Sequence, residues 1–143
     1  MSILSTTMPD LGVGYVVKWS YISPSDGAGS TVINLKCGQD IALHLNPRYI
    51  NGCVVLNSQL GGGWGPEERP AGFPLVKGVE TALFITILPG EFEVKAEVSG
   101  QAPWVYKYKH RTAVEKLDGI EVGFAYGAEN TAKFKDFYVL KAF

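Results

Sequence analysis

At 143 residues, with thirteen basic and fourteen acidic side chains, the chain has a formal net charge of −1, which removes the electrostatic case for a nucleic-acid or anionic-membrane partner. The length suits one domain, 1–143, able to bury about two-thirds of its unfolded surface without staples. Its two cysteines, Cys37 and Cys53, form no Cys-x-x-Cys motif; they read as free thiols, with a single bridge as the alternative, and together with His44 and His110 they lack the ligand spacing of a metal site.

The first ten residues have neither the basic start nor the apolar run of a signal peptide, and no later stretch is long enough to span a bilayer. No Asn-x-Ser/Thr acceptor occurs. Synthesis in the cytosol without membrane insertion is the expectation.

Seventeen glycines and eight prolines punctuate short alternating runs and no long helical period appears, so the expected class is all-β, an antiparallel β-sandwich of jelly-roll type. Val13, Tyr15, Val17, Trp19 and Tyr21 alternate with polar neighbours in a first strand, and residues 23–29 are turn chemistry. Residues 31–36 read as the next strand. Residues 41–48 follow at period two, with Ile41, Leu43 and Leu45 on one face and His44, Asn46 and Arg48 on the other. Pro47 cannot donate to a ladder, so pairing should break or bulge there. Asn51-Gly52 predicts a tight type I′ turn, and residues 53–57 return with Asn57 able to join the polar face of their hairpin partner.

After three glycines, Trp64 is poorly placed for a core. Glu67 and Arg69, two apart, share one side of an extended segment, which leaves Glu68 as a solvated charge. Residues 73–76 read as a short strand and 79–88 as a strand covered on both faces. Residues 91–98 and 103–109 alternate with charges outward; residues 110–117 are a turn or a single helical turn, with His110 at the surface; residues 120–126 and 132–140 close the sheets. Trp19 and Trp104 alternate with polar neighbours and are expected to pack within the sandwich.

His44, Asn46, Arg48, Asn57, Trp64, Glu67 and Arg69 therefore form a constellation of fixed donors and acceptors beside one exposed aromatic plate. A sugar suits it best, because hydroxyls need several such partners and the C–H face of the ring needs an aromatic surface. Glycoside hydrolysis would need two facing carboxyl groups, one with a raised pKa. Arg48 and Arg69 instead lower the pKa of Glu67, and no second carboxylate shares its face.

The pattern His44-x-Asn46-Pro47-Arg48, Val55-x-Asn57, Trp64-Gly65-x-Glu67-x-Arg69 resembles the signature of the galectins, the β-galactoside-binding lectins. The resemblance implies that His44, Asn46 and Arg48 bond the axial 4-hydroxyl of galactose and that Trp64 stacks on its apolar face. Asn57 and Glu67 hold the 6-hydroxyl; Glu67, Arg48 and Arg69 reach the neighbouring sugar. It also implies a partner class of β-galactoside glycans, no metal or other cofactor, no enzymatic activity, and a homo-oligomer paired through residues 12–21 and 134–143. The chain would act in the cytoplasm or outside the cell after unconventional secretion. Galectins often have a longer, more polar loop where residues 49–54 form a short turn, which bears on glycan preference. The alternative is a galectin-fold interaction module with altered specificity or no sugar ligand.

Overall fold

The computed structural model describes residues 2–143, without the side chain of Ser2. Among the described residues eleven strands run in chain order: β1 (Ser2–Thr7), β2 (Tyr15–Ile22), β3 (Ser30–Cys37), β4 (Asp40–Arg48), β5 (Cys53–Leu60), β6 (Gly63–Trp64), β7 (Glu80–Ile87), β8 (Glu91–Val98), β9 (Trp104–Lys109), β10 (Gly119–Ala125) and β11 (Lys133–Lys141). They form two antiparallel sheets, ordered β1-β10-β3-β4-β5-β6 and β11-β2-β7-β8-β9. Short 3-10 turns occur at Val114–Lys116 and Ala128–Asn130.

Alternation dictates the layering. Ile33, Leu35, Leu43, Leu45, Val54, Leu56, Ile120 and Val122 face inward from the six-stranded sheet and meet Val17, Trp19, Tyr21, Leu83, Ile85, Ile87, Phe92, Val94 and Tyr108 from the other. Both sheets share this one core, and the opposite face of the six-stranded sheet carries polar side chains together with Val32, Ile41 and Val55.

Several expectations change. The first strand by position is β1, which reads weakly because it lies at a sheet edge with Ile3 and Leu4 half exposed. β2 is interior, between β11 and β7, so residues 12–21 are not an edge free to pair. Residues 73–76 are irregular; Phe73 is buried there by packing on Trp104, with ring centroids 4.9 Å apart, and the segment finds no ladder partner. β7 is covered on one face only. Its outward Phe84 is shielded by the ammonium groups of Lys18 and Lys95, each 5.4 Å from the ring centre, a cation–π arrangement that makes an open-face aromatic tolerable.

The β4–β5 loop is not a two-residue turn. Arg48 pairs with Cys53, leaving residues 49–52 as the loop, closed by Gly52 N–H donating to the Arg48 carbonyl at 2.9 Å. Gly52 alone takes a positive φ, +67°; Asn51 does not, so type I′ geometry is unnecessary. Tyr49 turns inward, its hydroxyl 2.8 Å from that of Tyr21, which anchors the loop to the second sheet.

Candidate functional site

The site lies on the polar face of β3, β4, β5 and β6, in an open groove of about 750 Å³. Register assembles it: His44 pairs with Asn57 across β4 and β5 and with Asn34 across β3 and β4. Pairing on the β3 side lapses beside Asn46 and Pro47, between the flanking pairs Ile33 to Leu45 and Ser30 to Arg48. The Asn46 side chain fills the gap, its Nδ2 donating to the Thr31 carbonyl at 2.8 Å. Proline thus frees a backbone acceptor, and that acceptor fixes a site asparagine.

Asn46, 6% exposed, then accepts at Oδ1 from Arg48 Nε at 2.8 Å. Arg48 Nη2 reaches Glu67 Oε2 at 3.5 Å, while Arg69 Nη2 and Nε hold Glu67 Oε1 at 2.6 and 2.9 Å. Glu67 is therefore held below the usual carboxylate range, chiefly by Arg69 and then by Arg48. An ionised carboxylate between two guanidinium groups is a fixed acceptor, unsuited to donating a proton.

Trp64, half exposed, stands edge-on to His44, with centroids 4.8 Å apart and an interplanar angle of 61°. Its exposed half borders the groove. His44 is pulled from its ordinary 6.5 down to about 4, first by burial and then by the Arg48 charge, so the ring is neutral at pH 7. The unfolded chain takes up this proton near pH 6.5 and the folded chain only near 4. Stability should therefore fall as pH drops through that window, by up to roughly 3 kcal/mol. Thermal melts between pH 7 and 4.5 check this: the decline in Tm should be shallower in His44→Gln.

Six of the seven residues expected from the sequence, His44, Asn46, Arg48, Asn57, Trp64 and Glu67, line the groove, and Arg69 joins them through Glu67. Ile41 does not keep phase with Leu43 and Leu45. The register slips between Ile41 and His44, so Ala42 joins the core while Ile41 borders the groove. Glu68 is not a solvated charge: its carboxylate takes the Tyr106 hydroxyl and pairs with Arg111 Nη2 at 2.9 Å. His110 is not at the surface either. Its Nε2 sits 2.6 Å from the Leu88 carbonyl and its ring stands edge-on to Phe92.

Arg111 was missed. Its Nη1 donates to Asn57 Oδ1 and its Nη2 to the Pro66 carbonyl, both at 2.9 Å, clamping the Trp64 segment to β5. A Cβ on Gly65 would lie 2.8 Å from Nη1, so a larger residue there would make the guanidinium shift. Asn34 and Glu121, which stand beside His44, were missed as well; a lone polar residue between Ile33 and Leu35 was the available signal. At the far wall the loop contributes Ile50, exposed and apolar, with Asn51 beside it. Cys37 and Cys53 are free. Among the described residues no group of three or more His, Cys, Asp or Glu side chains could hold a metal ion, and no helix is long and apolar enough to cross a membrane.

A family profile described as galactoside-binding lectin matches residues 10–126. Pig (Sus scrofa) galectin-4 is 39% identical over 111 residues, covering 75% of this chain, and human galectin-7 is 36% identical over 95 residues, covering 64% of this chain and 67% of that protein. The chain spans about a third of the galectin-4 relatives it matches, 32% of the pig protein and 30% of the cattle protein. Among solved structures, Caenorhabditis elegans galectin LEC-6 superposes with a TM-score of 0.77 at 25% identity, covering 98% of this chain and 91% of that one. Human galectin-16 shares the fold at a TM-score of 0.77 and 24% identity, covering 99% of each chain. With the polar face of its six-stranded sheet arranged as described, the chain belongs to the family of the galectins, the galactoside-binding lectins, as a β-sandwich.

Proposed function

We propose that this protein binds β-galactosides such as lactose and N-acetyllactosamine reversibly, without metal and without catalysis. The observation that carries the reading is the locked row Asn46–Arg48–Glu67–Arg69 beside a neutral His44. A hydroxyl over this row can donate to the imidazole while accepting from the guanidinium, and the axial 4-hydroxyl of galactose reaches down to it while the flat C–H face lies on Trp64. An equatorial 4-hydroxyl points along the ring plane and leaves those partners unpaired.

Calorimetric titration with lactose tests the reading, with cellobiose as the control that differs only in the configuration of that one carbon. Lactose should bind with a Kd of ~0.1–1 mM, about −4 to −5.5 kcal/mol, and cellobiose at least tenfold more weakly. Equal binding of both would refute the role of the axial hydroxyl. Binding of neither would favour a galectin-fold module with another partner.

A single weak site acts on cells through avidity, so the reading includes a homo-oligomer that cross-links glycans. The edge strands β1 and β11 support it, since they expose Ile3, Leu4, Phe134 and Leu140. Sedimentation should show a dimer or larger species; a monomer that fails to agglutinate red cells yet still binds lactose would remove this part alone. The free thiols suit synthesis in the reducing cytosol, with release by an unconventional route as the second half of the proposal.

A further inference from the structure

Beyond the motif, the row through His44 continues away from Trp64. Asn57, His44, Asn34 and Glu121 stand side by side on β5, β4, β3 and β10. Asn34 Nδ2 donates to Glu121 Oε1 at 3.1 Å, and His44 Nδ1 lies 2.7 Å from Asn34 Oδ1. The direction of this chain follows from chemistry. An ionised carboxylate only accepts, so the buried amide must turn its NH2 towards β10 and its carbonyl towards β4. A carbonyl also only accepts, so His44 Nδ1 must be the protonated nitrogen. A neutral imidazole has one N–H; Nε2 is then a bare acceptor. Beside it Arg48 offers only donors, while Asn46, which also interacts with His44, gives one N–H to Thr31 and accepts Arg48 at its oxygen.

We propose that Glu121, acting through Asn34, is a positioning residue that sets the hydrogen-bond polarity of His44, making the groove read a hydroxyl that donates to Nε2 while accepting from Arg48. Without the carboxylate, Asn34 is free to turn over, since its oxygen and nitrogen are nearly the same size. An NH2 facing Nδ1 drives the imidazole proton to Nε2, and His44 and Arg48 then both present donors. The consequence for sugar rests on the galactoside reading above; the tautomer does not.

The experiment is a long-range proton–nitrogen correlation spectrum of the 15N-labelled full chain at pH 7, recorded without sugar. The His44 ring should show a protonated Nδ1 and an unprotonated Nε2. Glu121→Gln should preserve that pattern, because its carbonyl still accepts from Asn34, and should keep lactose affinity within about twofold. Glu121→Leu should populate the Nε2–H form and weaken lactose at least about tenfold. A 4′-deoxy-4′-fluoro lactose, whose fluorine accepts but cannot donate, should bind the native protein at least about tenfold more weakly than lactose, and that gap should narrow in Glu121→Leu. An Nε2–H tautomer in the native protein overturns the proposal, and this needs no variant to fold. An unchanged Nδ1–H pattern with native affinity in a folded Glu121→Leu overturns it equally. The expected tautomers without lactose binding in any variant would uphold the relay and instead sink the galactoside reading.

Discussion

Trp64→Ala should abolish measurable lactose binding while leaving the fold intact. Trp64 is 50% exposed, sits in the two-residue strand β6, and its ring contact is the edge of His44. Truncating it empties no part of the core, so Tm should move by no more than a few degrees. The binding cost is larger in proportion. Covering about 80 Å² of sugar C–H surface at ~25 cal/mol per Å² is worth about 2 kcal/mol, or roughly thirtyfold in affinity. A Kd near ~0.1–1 mM would move to about 3–30 mM, beyond ordinary calorimetry. Trp64→Phe should lose only part of this, since a smaller plate remains. Retention of native lactose affinity in the alanine variant would remove the stacking role. A loss accompanied by a collapsed melting transition would show that Trp64 holds the hairpin instead.

The contrast between Trp64 and Trp19 explains why so much of the site was legible. A strand side chain faces one of two ways, so a run of two or three alternating residues decides its face without knowledge of the partner strand. His44, Asn46 and Arg48 are separated from Leu43 and Leu45 by that rule alone. The rule fails where a ladder slips, and Ile41 shows how: one extra residue in β4 swaps the two faces on the far side of the slip. It also says nothing of what pairs across strands. Glu121 is 87 residues from Asn34, and Arg111 is 54 from Asn57. Those contacts depend on strand order, which no local pattern encodes. Phe84 misled for a different reason: an apolar residue on an open face reads as covered until two lysines from neighbouring strands are seen over it.

The supporting layer has a further physical role. Five polar side chains that line the groove are held by partners before any ligand arrives: Asn46 by Thr31, Arg48 by Asn46, Glu67 by two arginines, Asn57 by Gly65 and Arg111, and His44 by Asn34. A weak ligand cannot supply the entropy cost of ordering long side chains, about 0.5–1.5 kcal/mol for each one immobilised. Ordering them in the free protein leaves more of the contact energy for affinity.

Arg48→Ala tests that dependence at its centre, and should abolish lactose binding and lower stability together. Arg48 is the residue shared by the two halves of the row, bonding Asn46 on one side and Glu67 on the other. Its removal strips the buried Asn46 Oδ1 of its charged donor, which should cost about 1–2 kcal/mol of stability. Glu67 is not stranded by the change, because both Arg69 bonds to it are shorter than the Arg48 contact; the ion pair therefore should survive on the Arg69 side. The binding loss is the greater effect: a charged donor to a sugar hydroxyl is worth roughly 1.5–3 kcal/mol, and a mobile Asn46 adds to it. Arg48→Lys separates the two consequences. A lysine restores a charge, and so recovers part of the stability, but its single ammonium cannot span Asn46, Glu67 and a ligand oxygen with one planar fork. Recovery of Tm without recovery of lactose binding is the expected outcome, read by thermal melts and calorimetry on the same preparations. A lysine variant that binds lactose as the native protein does would show that charge alone is read at this position and that the guanidinium geometry is incidental.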